Sequence, residues 1–440
     1  MSGRRLAGAA VLAALLASVL CLAPAAVAQE KHAQNRSAHQ PGAPEPAAKK
    51  KHPAQEKPAK KKPKTPGPAI EARSWALIDA RTGDVILAHN GTEELPIAST
   101  TKLMTAYVTL KEAPLDKVVK AQPYDPEYGE SLMGLRNGQE ISIRDLLYGL
   151  ILRSGNDAAH TLAIDVAGST PRFVAQMNRY AAALGLADTQ YANPVGLDQK
   201  GNYSSARDLA TLTQHLLRIP AFAKISASRE AVLRSVHPQR RIKTINALLE
   251  MAPWVTGVKT GHTFGALYVL VGSGRRKGVE LISDAIGAPS DEARFADNLE
   301  LLEYGFRQYR RRLPVQAGQA LAEPSIRYSD GKLPLRAGED LAVGIRRGQT
   351  LDTEIRAPAE VEGPIRRGAV LGRATVLVDG REAGTVALRA GRAIPKASAF
   401  DRVRGFVEDH LVPIAVAMFV ILMAGVLLLR LLSRRRRRRN

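Results

Sequence analysis

The order of strand-like and helical patterns along the chain is the feature that most constrains its fold. Apolar runs at 75–80 and 85–88 flank the turn segment Arg81–Asp84, which predicts a β-hairpin. Mostly helical patterns follow from about 110 to 220, and strands return after 250, over 255–263, 266–272 and 279–286, before a last helix over 291–309. Strands at both ends with helices between them predict an α/β sandwich whose first and last strands meet in one sheet.

Three short motifs lie within that pattern in a fixed order. They are Ser99-Thr-Thr-Lys102 at the start of an apolar helical pattern, Ser154-Gly-Asn156, and Lys259-Thr-Gly261 in a strand-like run. A hydroxyl is a weak nucleophile without a neighbouring base, and a spacing of three on a helix brings the Lys102 amine to the same face as the Ser99 hydroxyl. One such string is weak evidence, since Ser329–Lys332 also fits S-x-x-K, but the three together predict an acyl-transfer site.

These motifs resemble those of the serine D-alanyl-D-alanine carboxypeptidases, the low-molecular-mass penicillin-binding proteins. The resemblance covers about residues 70–310, includes the segments 193–197 and 203–208, and extends to a small β domain at 314–396. It implies an α/β fold of the β-lactamase/transpeptidase-like type, an antiparallel sheet with helices and a helical subdomain. A small all-β domain and a single transmembrane helix would follow.

The resemblance also implies a role for each site residue. Ser99 would attack the carbonyl between the terminal D-alanines, Lys102 would be its base, and Ser154 would pass the proton to the leaving amine. Burial and a nearby cation, for which Lys259 is the candidate, should lower the pKa of Lys102. The backbone N–H groups of Ser99 and His262 would form the oxyanion hole. The substrate-binding residues would be Asn156, Lys259, Thr260, Gly261 and His262, with Gly261 leaving room for the substrate backbone along the strand.

Three residues have a second interpretation. Ser99 could be only the N-cap of the helix that follows it. His262 could act as a general base through its imidazole rather than through its backbone N–H. Arg294, on the last predicted helix, could bring a cation to the substrate carboxylate or lie on the solvated helix surface, and the sequence does not separate the two.

Three other functions remain open on the sequence. A D,D-endopeptidase or transpeptidase would use the same residues. A serine β-lactamase needs a carboxylate that activates the deacylating water, and neither Glu230 nor Glu250, the glutamates between the second and third motifs, has the sequence surroundings of such a site. A catalytically dead wall-binding protein would be expected to carry a broken motif, and all three are intact. Carboxypeptidase activity is therefore favoured.

The remaining segments predict an exported protein with a membrane anchor. The pair Arg4 and Arg5, an apolar run and a small-residue cleavage site predict a signal peptide over 1–28. The next segment, 29–68, has eight prolines and nine lysines and is expected to be a disordered linker. We assign 69–312 to the catalytic domain, 313–398 to a small β-rich domain, 411–432 to a transmembrane helix and 433–440 to a cytoplasmic polyarginine tail.

The anchor prediction rests on an uncharged run of 19 residues from Leu411 to Leu429. As a helix this run is about 28 Å long, near the thickness of the hydrocarbon layer. The arginines that follow it would stay in the cytoplasm, which leaves the catalytic domain on the outer side of a single-pass cell-membrane protein.

The position of the charges limits the partners. Of the net charge of +21, Arg4 and Arg5 carry +2, the linker +7 and the arginines from Arg430 onward +7, which leaves +5 for the middle, so no nucleic-acid partner is expected. The only cysteine, Cys21, lies in the signal peptide, and the nine histidines show no metal-binding spacing, so no metal or cofactor is expected. The resemblance implies peptidoglycan stem peptides as substrates and β-lactam antibiotics as covalent inhibitors, while membrane lipid would surround the C-terminal anchor.

Overall fold

The computed structural model describes residues 67–437; the predicted signal peptide, the linker up to residue 66 and the last three residues lie outside the described part. Nine strands precede the β-rich region: β1 Ser74–Asp79, β2 Val85–His89, β3 Val118–Lys120, β4 Glu140–Ser142, β5 Glu230–Leu233, β6 Arg240–Lys243, β7 Val255–Thr263, β8 Leu267–Arg276 and β9 Val279–Ala288. The helices among them are α1 Lys102–Glu112, α2 Ile143–Leu152, α3 Asn156–Ala167, α4 Thr170–Ala183, α5 Ala206–Leu217, α6 Pro220–Ser226, α7 Leu248–Met251 and α8 Asp291–Gln308.

The main sheet has the order β2-β1-β9-β8-β7, with antiparallel neighbours throughout. Trp75 of β1 pairs with Ala285 of β9, so the first and last strands meet in one sheet, and the predicted fold class is confirmed. The expectation that strands return only after residue 250 was wrong. Two short hairpins, β3–β4 and β5–β6, lie among the helices, and strands of three or four residues are too short to show a period-two pattern.

Helices cover both faces of this sheet because β9 alternates its side chains between them. Ile282 and Ile286 are buried in the large core formed with the helices of the middle segment. Leu281, on the opposite face, is buried with Leu301 and Leu302 of α8. This period-two alternation is what a sheet between two helical layers requires. In the strand order given above, β7 is at the edge of the sheet, beside the segment that carries Ser99.

Nine further strands form the predicted all-β domain: β10 Tyr309–Val315, β11 Ala320–Ala322, β12 Ser325–Ile326, β13 Leu335–Ala337, β14 Leu341–Arg346, β15 Leu351–Arg356, β16 Glu360–Val361, β17 Val370–Val378 and β18 Arg381–Ala390. Five of them form a sheet in the order β11-β13-β18-β17-β15, and β10 pairs with β14. Val376, Val386 and Leu388 are buried in a core that is separate from the first two.

Two helices follow, α9 Ala399–Asp409 and α10 Leu411–Arg437. Among the described residues, one helix is long and apolar enough to cross a membrane, α10 over Leu411–Ser433, and it contains the predicted span 411–432.

Candidate active site

Ser99 lies in a short 3₁₀ helix, Ala98–Thr101, that runs directly into α1. Ala98 has a φ of +47°, a conformation that residues with a side chain seldom adopt, so the chain turns sharply just before the serine. The N-cap positions here are Ile97 and Thr101, and Ser99 caps neither helix. Its half-buried Oγ lies 2.8 Å from Lys102 Nζ instead. The N-cap interpretation of Ser99 is therefore not what the fold uses.

Lys102 is fully buried at the start of α1. Its Nζ donates hydrogen bonds to Ser99 Oγ and, at 2.5 Å, to the carbonyl oxygen of Val195. Burial lowers the pKa of Lys102 to about 7, against the negative charges of Glu130 and Asp157, which raise it. An amine with such a pKa is partly neutral at neutral pH, as a general base must be.

Lys259 on β7 is the second fully buried lysine. Its Nζ donates to Ser154 Oγ at 2.9 Å and to the carbonyl oxygen of Thr260, its buried neighbour, at 2.7 Å. Burial, and then the charges of Lys102 and Arg294, hold the pKa of Lys259 well below its usual value. The predicted influence of one lysine on the other thus falls on Lys259, whereas the pKa of Lys102 is lowered mainly by burial.

Ser154 lies between α2 and α3 with a φ of +58°. A non-glycine residue in the left-handed region is strained, and such strain persists only where the surroundings hold it. Here the side chain is buried and hydrogen-bonded to Lys259. The sharp turn brings the hydroxyl toward β7 and lets α3 begin two residues later at Asn156.

Asn156 is held by a carboxylate that sequence reasoning missed. Its Nδ2 donates to Glu130 Oε2 at 2.6 Å, and the Tyr124 hydroxyl also donates to Glu130. Burial alone would raise the pKa of Glu130, but the hydrogen bonds from Asn156 and Tyr124 bring that pKa below its usual value. Within the described residues, the buried Oδ1 of Asn156 has no hydrogen-bond partner, so the amide can still bind a peptide group.

The loop that carries Glu130 is fixed to α3 by Asp157. This buried carboxylate accepts three backbone N–H groups, from Met133, Gly134 and Leu135, each at 2.9 Å. The backbone N–H of Asn156 donates to the carbonyl oxygen of Ser131 at 2.8 Å. Glu130 is therefore placed by hydrogen bonds around the residue after Asn156, and no spacing in the sequence indicates that arrangement.

Gly261 and Gly196 allow two backbone segments to approach the nucleophile turn. A Cβ at Gly261 would lie 3.1 Å from both the Ile97 carbonyl oxygen and the Ser99 nitrogen. A Cβ at Gly196 would lie 2.0 Å from the carbonyl oxygen of Ala98. Room for substrate was the predicted reason for Gly261, and the structure adds another: a side chain there would push the turn with Ser99 away from β7.

Arg294 is buried, so the helix-surface interpretation was wrong. Its Nη1 donates to the carbonyl oxygen of Gly261 at 2.8 Å, and the guanidinium pairs with Asp291 and lies 5.3 Å from the centre of the Tyr268 ring. A signal was present in the helix phase: Arg294 lies seven and eight residues before the apolar Leu301 and Leu302, on the same face of α8. Arg294 thus brings a third cation next to the third motif.

His262 follows that motif on β7 and is exposed. Its ring lies 4.3 Å from the Tyr268 ring, centre to centre. Among the described residues, no hydrogen bond or ion pair involves its side chain, so nothing holds the imidazole as a catalytic base is usually held. The described residues also contain no group of three or more His, Cys, Asp or Glu that could hold a metal.

The eight predicted site residues are thus brought to one place by the 3₁₀ turn, the start of α3 and β7. Two hydroxyls each contact a buried amine, Ser99 with Lys102 and Ser154 with Lys259. This arrangement can activate one hydroxyl as a nucleophile and relay a proton through the other. The buried cations Lys259 and Arg294 favour a substrate with a carboxylate.

Comparison with known proteins gives two family matches. A model described as D-alanyl-D-alanine carboxypeptidase matches residues 59–290, just over half of the chain, and one described as penicillin-binding protein 5, C-terminal domain, matches 309–396. The D-alanyl-D-alanine carboxypeptidase DacC of Escherichia coli K12 is 35% identical over 276 residues, 60% of this chain and 68% of the relative. DacF of Bacillus subtilis is 32% identical over 270 residues, with 60% and 69% covered.

Solved structures agree with these matches. Penicillin-binding protein 5 from Haemophilus influenzae aligns with a TM-score of 0.53 and 29% identity over 76% of this chain and 100% of its own. A D-alanyl-D-alanine carboxypeptidase from Mycobacterium tuberculosis aligns with a TM-score of 0.52 and 33% identity over 55% of this chain and 94% of its own.

Proposed function

The chain belongs to the D-alanyl-D-alanine carboxypeptidase family, and we propose that it removes the terminal D-alanine from peptidoglycan stem peptides that end in D-Ala-D-Ala, in cell wall remodelling. The observation that carries the proposal is the 2.8 Å contact between Ser99 Oγ and Lys102 Nζ, whose pKa of about 7 leaves part of the amine neutral. A neutral amine at that distance can take the hydroxyl proton as the serine attacks.

In the first half of the reaction, Ser99 Oγ forms a bond to the carbonyl carbon between the two D-alanines while Lys102 takes the proton. The backbone N–H groups of Ser99 and His262 stabilise the negative charge on the carbonyl oxygen. Since β7 is an edge strand, every second N–H along it has no partner within the sheet. Ser154, held by Lys259, passes a proton to the nitrogen of the departing D-alanine as the C–N bond breaks.

In the second half, water hydrolyses the acyl-enzyme and Ser99 regains its proton. Asn156 binds a backbone group of the stem peptide, and Lys259, Thr260 and Arg294 face the terminal carboxylate. Guanidinium and ammonium groups that are shielded from water bind a carboxylate strongly, which favours a substrate with a free C-terminus. A β-lactam would acylate Ser99 in the same way and leave slowly.

The β-lactamase alternative finds little support in the carboxylates. Glu230 is exposed and pairs with Arg241 at 2.9 Å, Glu250 is also exposed, and neither is hydrogen-bonded to a residue of the site. Glu130 is in the site but already accepts hydrogen bonds from Asn156 and Tyr124, which leaves it poorly suited to activate a water. An endopeptidase or transpeptidase would use the same residues and differ in the acceptor or in the bond cleaved.

The test is D-alanine release from a peptide ending in D-Ala-D-Ala, together with covalent labelling by a fluorescent penicillin, on the full chain in detergent. Ser99→Ala should abolish both, because the nucleophile is gone while the turn remains. The matched control is Ser329→Ala, which breaks the second S-x-x-K string in a turn of the β domain and should change neither. D-alanine release by the Ser99→Ala variant, or loss of penicillin labelling in the Ser329→Ala variant, contradicts the proposal. An added amine acceptor that diverts the product identifies transpeptidation.

We further propose that the enzyme is anchored by α10, with 433–440 in the cytoplasm, the catalytic domain 69–312 outside, and 313–398 as a spacer between them. Cleavage after residue 28 and a Pro/Lys-rich linker at 29–68 belong to the same proposal. A tag placed after Asn440 should resist protease added to intact spheroplasts, while the region around Ser99 is digested. A digested tag would reverse the proposed orientation.

A further inference from the structure

A cavity of about 280 Å³ lies at the junction between the first domain and the β domain. Its walls come from the β8–β9 turn and α8 on one side and from β10 and β14 on the other. The lining residues are Arg276, Lys277, Val279, Phe306, Arg307, Tyr309, Arg311 and Gly344. Four of these eight side chains are cationic, and none is acidic.

Three of the four cations have no side-chain partner within residues 67–437. Among the described residues, no hydrogen bond or ion pair involves the side chains of Arg276, Lys277 and Arg311. Arg307 is paired with Glu300 at 2.8 Å, while the neighbouring Arg275 takes the nearest carboxylate of the turn, Glu280. Like charges that converge without a counter-charge repel one another, so a bound anion would stabilise this arrangement.

The cavity is held in shape by close contacts between the domains. A Cβ at Gly344 would lie 2.2 Å from a methyl group of Val279, so the backbone of β14 packs directly on the β8–β9 turn. The Tyr309 hydroxyl donates to Asp79 Oδ2 at 2.5 Å, and Arg381 bridges to Asp84 at 3.1 Å. The backbone segments that carry the cations are therefore held in place before a ligand binds, and only the side chains remain to be ordered.

This cavity is separate from the active site. Val271 of β8 pairs with Lys259, and Arg276 lies five residues further along the same strand, about 17 Å away. Nothing in the reaction proposed above uses a residue of the cavity.

The chemistry of the walls selects a phosphate. The cations come from four different elements, β8, the β8–β9 turn, α8 and β10, and such a spread of donors suits a tetrahedral anion better than a planar carboxylate. Arginine forks match phosphate oxygens in pairs. Val279 is buried, and Phe306 and Tyr309 are half-buried, so the floor is apolar and can pack against the carbon part of a ligand.

We propose that this cavity binds a phosphate ester of a polyol or sugar. Its volume is just below the roughly 300–1,000 Å³ of typical small-molecule sites, so it takes one unit of a longer chain rather than a folded partner. The inference goes beyond the proposed activity and does not depend on it. A polymer or lipid headgroup that carries such esters would be held on the side of the junction away from the catalytic turn.

The test is fluorescence anisotropy with a labelled glycerol-phosphate hexamer and the full chain in detergent. R276Q, K277Q and R311Q together should weaken binding by about tenfold or more, since one charge-assisted contact already contributes that much. The matched control removes three exposed cations that also lack side-chain partners, K120Q, R179Q and K224Q, and should bind like the parent chain. R276K with R311K should keep part of the affinity, because charge is retained while the forks are lost.

Competition separates the sources of the phosphate. Inorganic phosphate should displace the labelled hexamer only weakly. Glycerophosphoglycerol, a soluble lipid headgroup, should displace it if the ester is the recognised unit, and its binding should depend on the same three residues. A glutamate hexamer that binds as tightly as the phosphate hexamer overturns the phosphate assignment. Equal weakening in the control triple, or no binding by the parent chain, overturns the site, provided that circular dichroism finds all variants folded.

Discussion

The cations of the active site and those of the domain junction are arranged in opposite ways. Lys102, Lys259 and Arg294 are buried, and each donates a hydrogen bond to a backbone carbonyl. Arg276 and Arg311 at the junction are exposed and have no partner within the described residues. Burial lowers the pKa of both lysines.

The difference shows what each arrangement can do. A buried amine can exchange a proton near neutral pH, because water no longer stabilises its charged form. An exposed cation cannot serve as a base, but it can attract an anion at almost no cost to folding. Substitutions at the buried cations should therefore change the chemical step or the protein's stability, and substitutions at the exposed ones only the binding of a second ligand.

The largest effect should follow Lys102→Ala. Removal of a general base typically reduces the rate by about 10²- to 10⁴-fold, so acylation by penicillin should slow by that much in stopped-flow measurements. The parent enzyme should acylate faster as pH rises through about 7, where Lys102 loses its proton, and the variant should lack this limb. Lys120→Ala removes an exposed lysine and is the control. A Lys102→Ala variant with the parent's rate and pH profile would mean that another group is the base.

Arg294→Ala should have the next largest effect, and on KM rather than kcat. The guanidinium lies beside Gly261 and is shielded from water, so its loss should raise KM for a peptide with a free carboxylate by about tenfold or more. A peptide with an amidated C-terminus should be bound equally by parent and variant. Arg294→Lys should recover part of the loss. A fall in kcat with unchanged KM would instead indicate that Arg294 shapes the turn around Ser99.

Asp284 is a buried acid, so it tests whether burial also shifts the pKa of a group with the opposite charge. It is fully buried on β9, neither of its oxygens has a hydrogen-bond partner of good geometry in the described part of the chain, and burial raises its pKa well above the usual value, although a contact with the backbone N–H of Ala285 opposes the rise. A group whose pKa is raised on folding binds a proton as the chain folds. The contribution of Asp284 to stability is therefore fully present below about pH 4, the pKa of an unfolded aspartate, and is lost as pH rises through the folded pKa.

Asp284→Val should raise the free energy of unfolding at pH 7.5 by about 1–3 kcal/mol, because it removes a buried polar group without a partner. The gain should shrink at pH 5. Asp284→Asn keeps the buried polar group but cannot titrate, so it should flatten the pH dependence and recover less stability. Denaturant unfolding at both pH values measures this, and parallel pH curves for all three proteins would contradict it.

The parts of the fold that the sequence predicted well are those with a repeating pattern. The strand β7 was predicted residue for residue over 255–263. The motif residues were found because their chemistry requires a fixed residue type and spacing. Glu130 was missed because it reaches Asn156 from a loop whose position depends on Asp157, a contact between segments that no local pattern encodes.

Arg294 was left undecided for a different reason. An arginine is rarely buried unless it is paired, and besides Asp291 on the same helix its partner is the backbone carbonyl of Gly261 on a distant strand, which no local pattern indicates. The left-handed conformation of Ser154 was likewise invisible, since a non-glycine residue adopts it only under tertiary constraint.

The smallest effect should follow His262→Ala, although His262 adjoins the third motif. Its side chain is exposed and lies against the tilted ring of Tyr268, and no hydrogen bond within the described residues orients it, so the substitution should change kcat/KM by no more than about threefold. Its backbone N–H, the proposed oxyanion donor, survives the substitution. An imidazole acting as base would give the pH-rate profile a limb at about pH 6 to 7, where histidines usually titrate, and that limb would disappear in the variant together with most of the activity. If this happened, His262 would join Lys102 as a proton acceptor, and burial would no longer be what distinguishes the groups that do chemistry from those that only attract charge.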